Sequence, residues 1–189
     1  YQRASVALAE GQPIGDGAGV LVIASIAHDK EKNRREIAKD TAVSEMDLDG
    51  RKLLIVRATG PGGNVGRPGE AVEKLIEESK KKVRLIITVD AQLKLEGEDT
   101  GKVNEGVGVA IGGTGVDKFR IEEVARKYNI PIHAVLINES LTEAITPMRE
   151  SIVKAIDEVV GRIKKILAST TEAGATVILA GIGNTIGIG

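Results

Sequence analysis

Two aspartates stand where a chain of this kind could do chemistry. Asp90 closes the apolar run VRLIITVDA, and Asp16 sits in Gly15-Asp16-Gly17-Ala18-Gly19. An acid at the end of a buried strand is desolvated, so its pKa rises, and such a group suits general acid/base work or metal ligation. The plainer reading is a carboxylate satisfied by loop amides. Glycines on both sides of Asp16 allow a ligand to approach the backbone closely, although the same aspartate could simply cap the segment that follows.

The remaining chemistry-bearing residues narrow the field. Cysteine is absent, which removes thiol nucleophiles, thiolate metal sites and disulfides together. There are two histidines. His133 alternates with Val135 and Ile137 and reads as a satisfied core histidine, while His28 opens a charged run and reads as a surface residue. Neither lies in a loop beside a candidate nucleophile, so no Ser-His-Asp arrangement is suggested.

Glycine-rich loops supply the other candidate contacts. GPGGNVGRPGE could cradle an anion through backbone N–H groups and the start of the next helix, with Gly62, Gly63 and Asn64 nearest the ligand. It is not a P-loop, since GxxxxGK[ST] is missing; the alternative is a structural tight turn. GGTGVDK adds Gly113, Thr114 and Gly115, and GIGNTIGIG adds Asn184. The last stretch contains GxG after an apolar strand, but it fails as a dinucleotide fingerprint because neither the phosphate-binding helix nor an acid some 20 residues later follows it.

These loops need a frame. TAVSEMDL and RKLLIVRATG, joined by Asp49-Gly50, predict a hairpin. Strand, Gly-rich loop and helix follow in RKLLIVRATG, GPGGNVGRPGE and AVEKLIEESKKK, and the order recurs through VRLIITVDA, EGVGVAIGG, FRIEEVARKY and IPIHAVLIN. The Lys80-Lys81-Lys82 run reads as a solvated helix end. Thr146-Pro147 opens a long amphipathic helix with apolar residues at 148, 152, 156, 159, 163 and 167, and TVILA is a last strand. Residues 2–10 read as a short helix and 29–40 as a solvated connection. VLVIASIAHD fits either a strand or a buried helix capped by Asp16. The expectation is one three-layer α/β domain, a mainly parallel sheet with helices on both faces and an antiparallel hairpin. The loops 60–69, 90–95, 112–117 and 181–189 would then converge beyond the carboxyl ends of the strands, where ligands of such sheets bind.

Composition sets the outer limits. The 189 residues carry a formal net charge of −1, 42% are hydrophobic, and the aromatics are Tyr1, Tyr128 and Phe119. Mixed charges and so few aromatics argue against a nucleic-acid partner. No apolar run is long enough to span a bilayer and no secretory signal is present, so no membrane contact by this segment and a cytoplasmic location are expected. Few Met and His with many Lys, Glu and Ile resemble a heat-adapted composition. A start at Tyr1 in place of Met is consistent with a fragment of a longer chain.

GPGGNVGRPGEAVEKLI, LIITVDA, VAIGGTGVDK and NIPIHAVLINESLTEAI together resemble the core of the spore germination protease and, more distantly, the hydrogenase maturation endopeptidases. VILAGIGN at 177–184 is similar to that family's opening strand and Gly-Asn turn, and PIGDGAGVLV at 13–22 to the acid loop that follows it, which implies a circular permutant. The resemblance gives Asp16 and Asp90 the proteolytic role, or nickel recognition in the maturation enzymes. The Gly-rich insertion expected after Thr114-Gly115 is missing, as is a third metal-ligating His. The chain is also similar to an archaeal family that implies no activity.

Three functions follow as expectations. The first is a peptidase-like hydrolase acting on a peptide or small molecule, with Asp16 and Asp90 as acid and base around a water. The second is a non-catalytic module holding a small anion or a divalent metal between those residues. The third is an assembly domain of a larger protein, with exposed apolar faces and homo-oligomer formation.

Overall fold

The computed structural model describes residues 9–60, 62–79, 82–108 and 116–188. Its elements run in the order 3-10 helix (Gly15–Gly17), α1 (Ala18–Ala27), β1 (Lys32–Ala38), β2 (Thr41–Leu48), β3 (Arg51–Ala58), α2 (Pro68–Glu78), β4 (Val83–Leu93), β5 (Val103–Val107), α3 (Val116–Tyr128), β6 (Ile132–Glu139), α4 (Leu141–Ala144), α5 (Glu150–Thr170) and β7 (Thr176–Gly181).

One seven-stranded sheet has the order β1-β2-β3-β7-β4-β6-β5. Its centre, β3-β7-β4-β6, is parallel, while β1, β2 and β5 pair antiparallel at the two margins. The sheet is therefore mixed, with more antiparallel edge than the single hairpin predicted from sequence. The crossovers β3→α2→β4 and β4→α3→β6 move outward, and β6→α5→β7 returns. Right-handed connections place helices that travel in opposite directions on opposite faces, which yields the three layers.

Alternation along the strands fills both faces. Leu53, Ile55, Leu85, Ile87, Val177 and Leu179 pack with α1 and α5, whereas Leu54, Val56, Ile86, Ile178 and Ala180 pack with α2 and α3. The amphipathic stripe of α5 is as read from sequence: Ile152, Val159, Ile163 and Leu167 are buried, and Met148 and Ile156 lie against them. The hairpin also holds, with Asp49 and Gly50 at φ 51 and 74.

Several expectations need correction. The segment at 29–40 contains β1, whose first five residues are exposed; an edge strand wet on both faces carries no apolar alternation. VLVIASIAHD forms α1, but Gly17 and not Asp16 precedes it, and no side chain caps it. Close packing selects the helix: a Cβ on Gly19 would overlap the carbonyl oxygens of Ile182 and Val89, and one on Gly181 would strike Ile23 and the Gly19 backbone. The predicted helix at 2–10 falls mostly on residues outside the described ones, as do Lys80 and Lys81 of the lysine run. No helix among the described residues is long and apolar enough to cross a membrane.

Candidate functional site

β7 stops pairing with β4 at Val89 and Gly181, while β4 and β6 run on together to Leu93 and Glu139. The opening beyond the end of β7 is where the polar residues gather. From the other side comes the 3-10 helix with Asp16, held by the turn after β7: Asn184 Nδ2 donates to Asp16 Oδ2 at 2.8 Å. Asn184 is itself oriented, since its Oδ1 accepts from the Ile186 N–H at 3.1 Å.

Asp90 points to the α2/α3 face, as its register two residues beyond Thr88 requires, and is 6% exposed. Lys118, in the first turn of α3, places its Nζ 2.5 Å from Asp90 Oδ2. Burial pushes the Asp90 carboxyl up, the Lys118 ammonium pulls it down, and the charge of Asp16 pushes it up again, leaving it raised.

Glu139 is the residue that sequence reading missed. It ends β6 as Asp90 nearly ends β4, so the same signal, an acid closing an apolar strand, was available. It is 2% exposed, and its Oε2 has no hydrogen-bond partner. Burial first, then the charges of Asp16, Asp90 and Glu143, push its carboxyl up to about 8. It lies so close to the 3-10 helix that a Cβ on Gly15 would overlap that same oxygen. Neighbouring Glu143 shows the contrast. Burial raises it, but the Ser140 N–H, the Thr100 and Ser140 hydroxyls and Arg149 outweigh burial and hold it below the usual range, within the capping box of α4.

The glycine loop after β3 borders this group without entering it. Asn64 Nδ2 donates to the Thr59 carbonyl at 3.0 Å, Thr185 Oγ1 donates to the Gly60 carbonyl at 2.6 Å, and Gly62 and Gly63 adopt φ 89 and 84. The start of α2 already receives a carboxylate, because Gly69 N–H donates to Asp117 Oδ1 at 3.1 Å. Loop and helix start thus carry internal contacts that a structural turn requires. A shallow pocket of about 270 Å³ lies beside them, lined by Lys39, Asp40, Gly63, Asn64, Val65, Gly66 and Arg67. Gly113, Thr114 and Gly115 lie outside the described residues. His133 is half-buried and His28 exposed.

The structure therefore brings Asp16, Asp90 and Asn184 together and adds Glu139 and Lys118. It gives the two aspartates different partners, an amide and an ammonium. Among the described residues, no group of three or more His, Cys, Asp or Glu stands where it could hold a metal ion.

Comparison with known proteins shows the fold and the family. The three-layer arrangement is similar to a PAC2 family protein from Streptomyces avermitilis, with TM-score 0.58 and 13% identity over 83% of this chain and 82% of that one. It is also similar to a proteasome-assembly chaperone homologue from Mycobacterium tuberculosis, with TM-score 0.53 and 12% identity over 86% and 84%. Residues 14–189 match the family described as "Domain of unknown function (DUF1512) C-terminal", and the chain belongs to that family. No curated protein matches it in sequence.

Two expectations are overturned here. The germination-protease and maturation-endopeptidase resemblance gives way to the family match and to neighbours of the PAC2 fold. Its short glycine motifs match the turns that many parallel strand–loop–helix units need. The 183–184 turn does meet Asp16, yet this follows from β7 entering the centre of the sheet and needs no permutation. The hydrolase reading falls with it: the neighbours are a PAC2 family protein and a proteasome-assembly chaperone homologue, and Asp90 is engaged by Lys118.

Proposed function

We propose that this chain is a non-catalytic protein-assembly domain that binds a partner protein through the surface around the carboxyl ends of its parallel strands. One observation carries the reading. Among the described residues, eight large apolar side chains are exposed: Val65, Leu93, Leu95, Val107, Phe119, Leu141, Ile145 and Val153. All but Val107 sit on segments at that one edge, in the loop after β3, at the end of β4, around α4, and in the first turns of α3 and α5. Scattered exposed apolar residues need no explanation, but their concentration at one edge marks an interaction surface. The chaperone homologue among the structural neighbours supports the same class of role.

The test is light scattering on a sizing column, with the chain alone and mixed with proteasome subunits of its own source organism. A complex is expected from the parent and not from a Leu95→Asp/Phe119→Asp variant that melts at the parent temperature. No complex with the parent, or equal binding by the variant, would sink the proposal.

A further inference from the structure

The acid group at this edge lacks a partner for one of its atoms. Asp16, Asp90 and Glu139 interact from the 3-10 helix, β4 and β6, with Glu143 of α4 also acting on Glu139 and Lys118 of α3 set against Asp90. Lys118 satisfies Asp90, Asn184 satisfies one oxygen of Asp16, and Thr100, Ser140 and Arg149 satisfy Glu143. Glu139 Oε2, buried between them, receives nothing. A buried polar atom left unsatisfied is costly, and each such atom in a native structure calls for a physical reason.

The missing group has a definable chemistry. Burial and the neighbouring carboxyls keep Glu139 protonated below about pH 8, so the group that would let it ionise must donate a hydrogen bond to Oε2 and bring positive charge. Lys118 meets Asp90 on the α2/α3 face, whereas Glu139, alternating with Val135 and Ile137, turns to the α1/α5 face. A metal ion is disfavoured because the acids do not stand in a metal-holding arrangement. Half-buried Asp16 is the end of the group nearest solvent; exposed Leu93 pairs with Glu139 in the sheet register, and exposed Leu141 and Leu95 follow the ends of β6 and β4 at the same edge. The loop between β4 and β5 adds Glu96, Glu98 and Asp99 to the same edge.

We propose that Asp16 and Glu139 form a seat for a lysine side chain of the partner protein, carried on an apolar segment that lies across Leu93, Leu95 and Leu141. This rests on the assembly reading and names its contact chemistry. The ammonium donates to Glu139 Oε2 and to Asp16. Apolar flanks fix the segment, and the buried carboxyls select a cation able to donate hydrogen bonds.

The full chain is titrated with n-butylammonium chloride, with tetramethylammonium chloride at equal ionic strength as the control lacking N–H donors, and amide shifts are followed by NMR. Butylammonium should move the signals of residues 15–17, 139 and 184, and tetramethylammonium should not. Glu139→Gln should weaken the butylammonium Kd at least tenfold, and Glu96→Gln should leave it unchanged. Equal response to both cations, or equal binding by Glu139→Gln with a parent-like spectrum elsewhere, would overturn the seat. Partner binding is then measured on the same variants. If Glu139→Gln binds the partner as tightly as the parent, the lysine assignment falls while the assembly reading stands. If butylammonium binds selectively but no partner is bound, the assembly reading falls and the seat belongs to a free amine.

Discussion

Lys118 Nζ stands 2.5 Å from Asp90 Oδ2 and so ties the first turn of α3 to the central strand β4. A cation in the first turn of a helix opposes the helix dipole, so its place there is explained by the carboxylate it meets. Asp90 is 6% exposed, and without the lysine its charge would be buried unpaired.

Lys118→Met should therefore destabilise the fold by about 2 kcal/mol at neutral pH, below the usual cost of breaking a buried pair because the lysine is partly solvated. The Asp90 carboxyl is already raised, and removing the ammonium raises it further. A group whose folded pKa is raised loses its stability contribution as pH climbs through that value, so the deficit should grow from pH 5 to pH 8. Urea unfolding at the two pH values measures it. Asp90→Asn added to Lys118→Met should restore most of the loss; a double variant as weak as the single one would show that the pair is not the cause.

Glu139 gives the second pH dependence. Its carboxyl moves from an ordinary 4.5 to about 8 in the folded chain, so the folded state keeps a proton that the unfolded state releases. Its contribution is complete below about 4.5 and is lost as pH rises to about 8, with a slope of at most about 1.4 kcal/mol per pH unit. Glu139→Gln copies the protonated form in shape and charge. The variant should match the parent near pH 4.5, exceed it in stability above pH 8, and flatten the denaturation midpoint between those limits. A parallel decline in both proteins would assign the slope to other groups.

How much of this was legible depends on what each residue's neighbours are. The hairpin was, because Asp49-Gly50 supplies two left-handed conformations between apolar runs. Asp90 was, because it ends an apolar run. Glu139 carries the same signal, but polar Asn138 and Ser140 on either side present it as ordinary loop sequence. Lys118 could be paired with Asp90 only by knowing that α3 starts above the end of β4. β1 was hidden because an edge strand with five exposed residues has no apolar period. The glycine loop drew attention as an anion cradle, whereas its helix start is filled from within by Asp117, 48 positions along the chain. Sequence shows which loops are unusual; the contact between distant loops decides what they do.

Asp117 yields a third prediction. Its carboxylate caps α2 across elements by accepting from Gly69 N–H at 3.1 Å, and a Cβ at Gly69 would press on that same carboxylate and its backbone. Asp117→Ala should cost about 1 kcal/mol, the usual cost of a lost cap. Asp117→Asn, which keeps an acceptor oxygen, should cost less than half of that. Thermal melts of the two variants side by side provide the check, and equal losses would indicate that the charge matters and the cap does not.

Close packing in the acid group also involves Gly15, whose added Cβ would overlap Glu139 Oε2 and the Glu143 carbonyl. The carboxyl cannot swing aside at no cost, because it is enclosed, with Glu139 only 2% exposed. Gly15→Ala should thus destabilise by about 2 kcal/mol, within the range for overpacked interiors, and lower the melting temperature by roughly 4–8 °C for a chain of this size. Gly161 is the internal control. It lies inside α5 and nothing would touch its Cβ within 4 Å, so Gly161→Ala should gain up to about 1 kcal/mol from helix propensity alone. Scanning calorimetry of both variants reads the opposite signs. If Gly15→Ala melts with the parent, Glu139 is not held against the 3-10 helix, and the close approach that buries its unpartnered oxygen does not exist in solution.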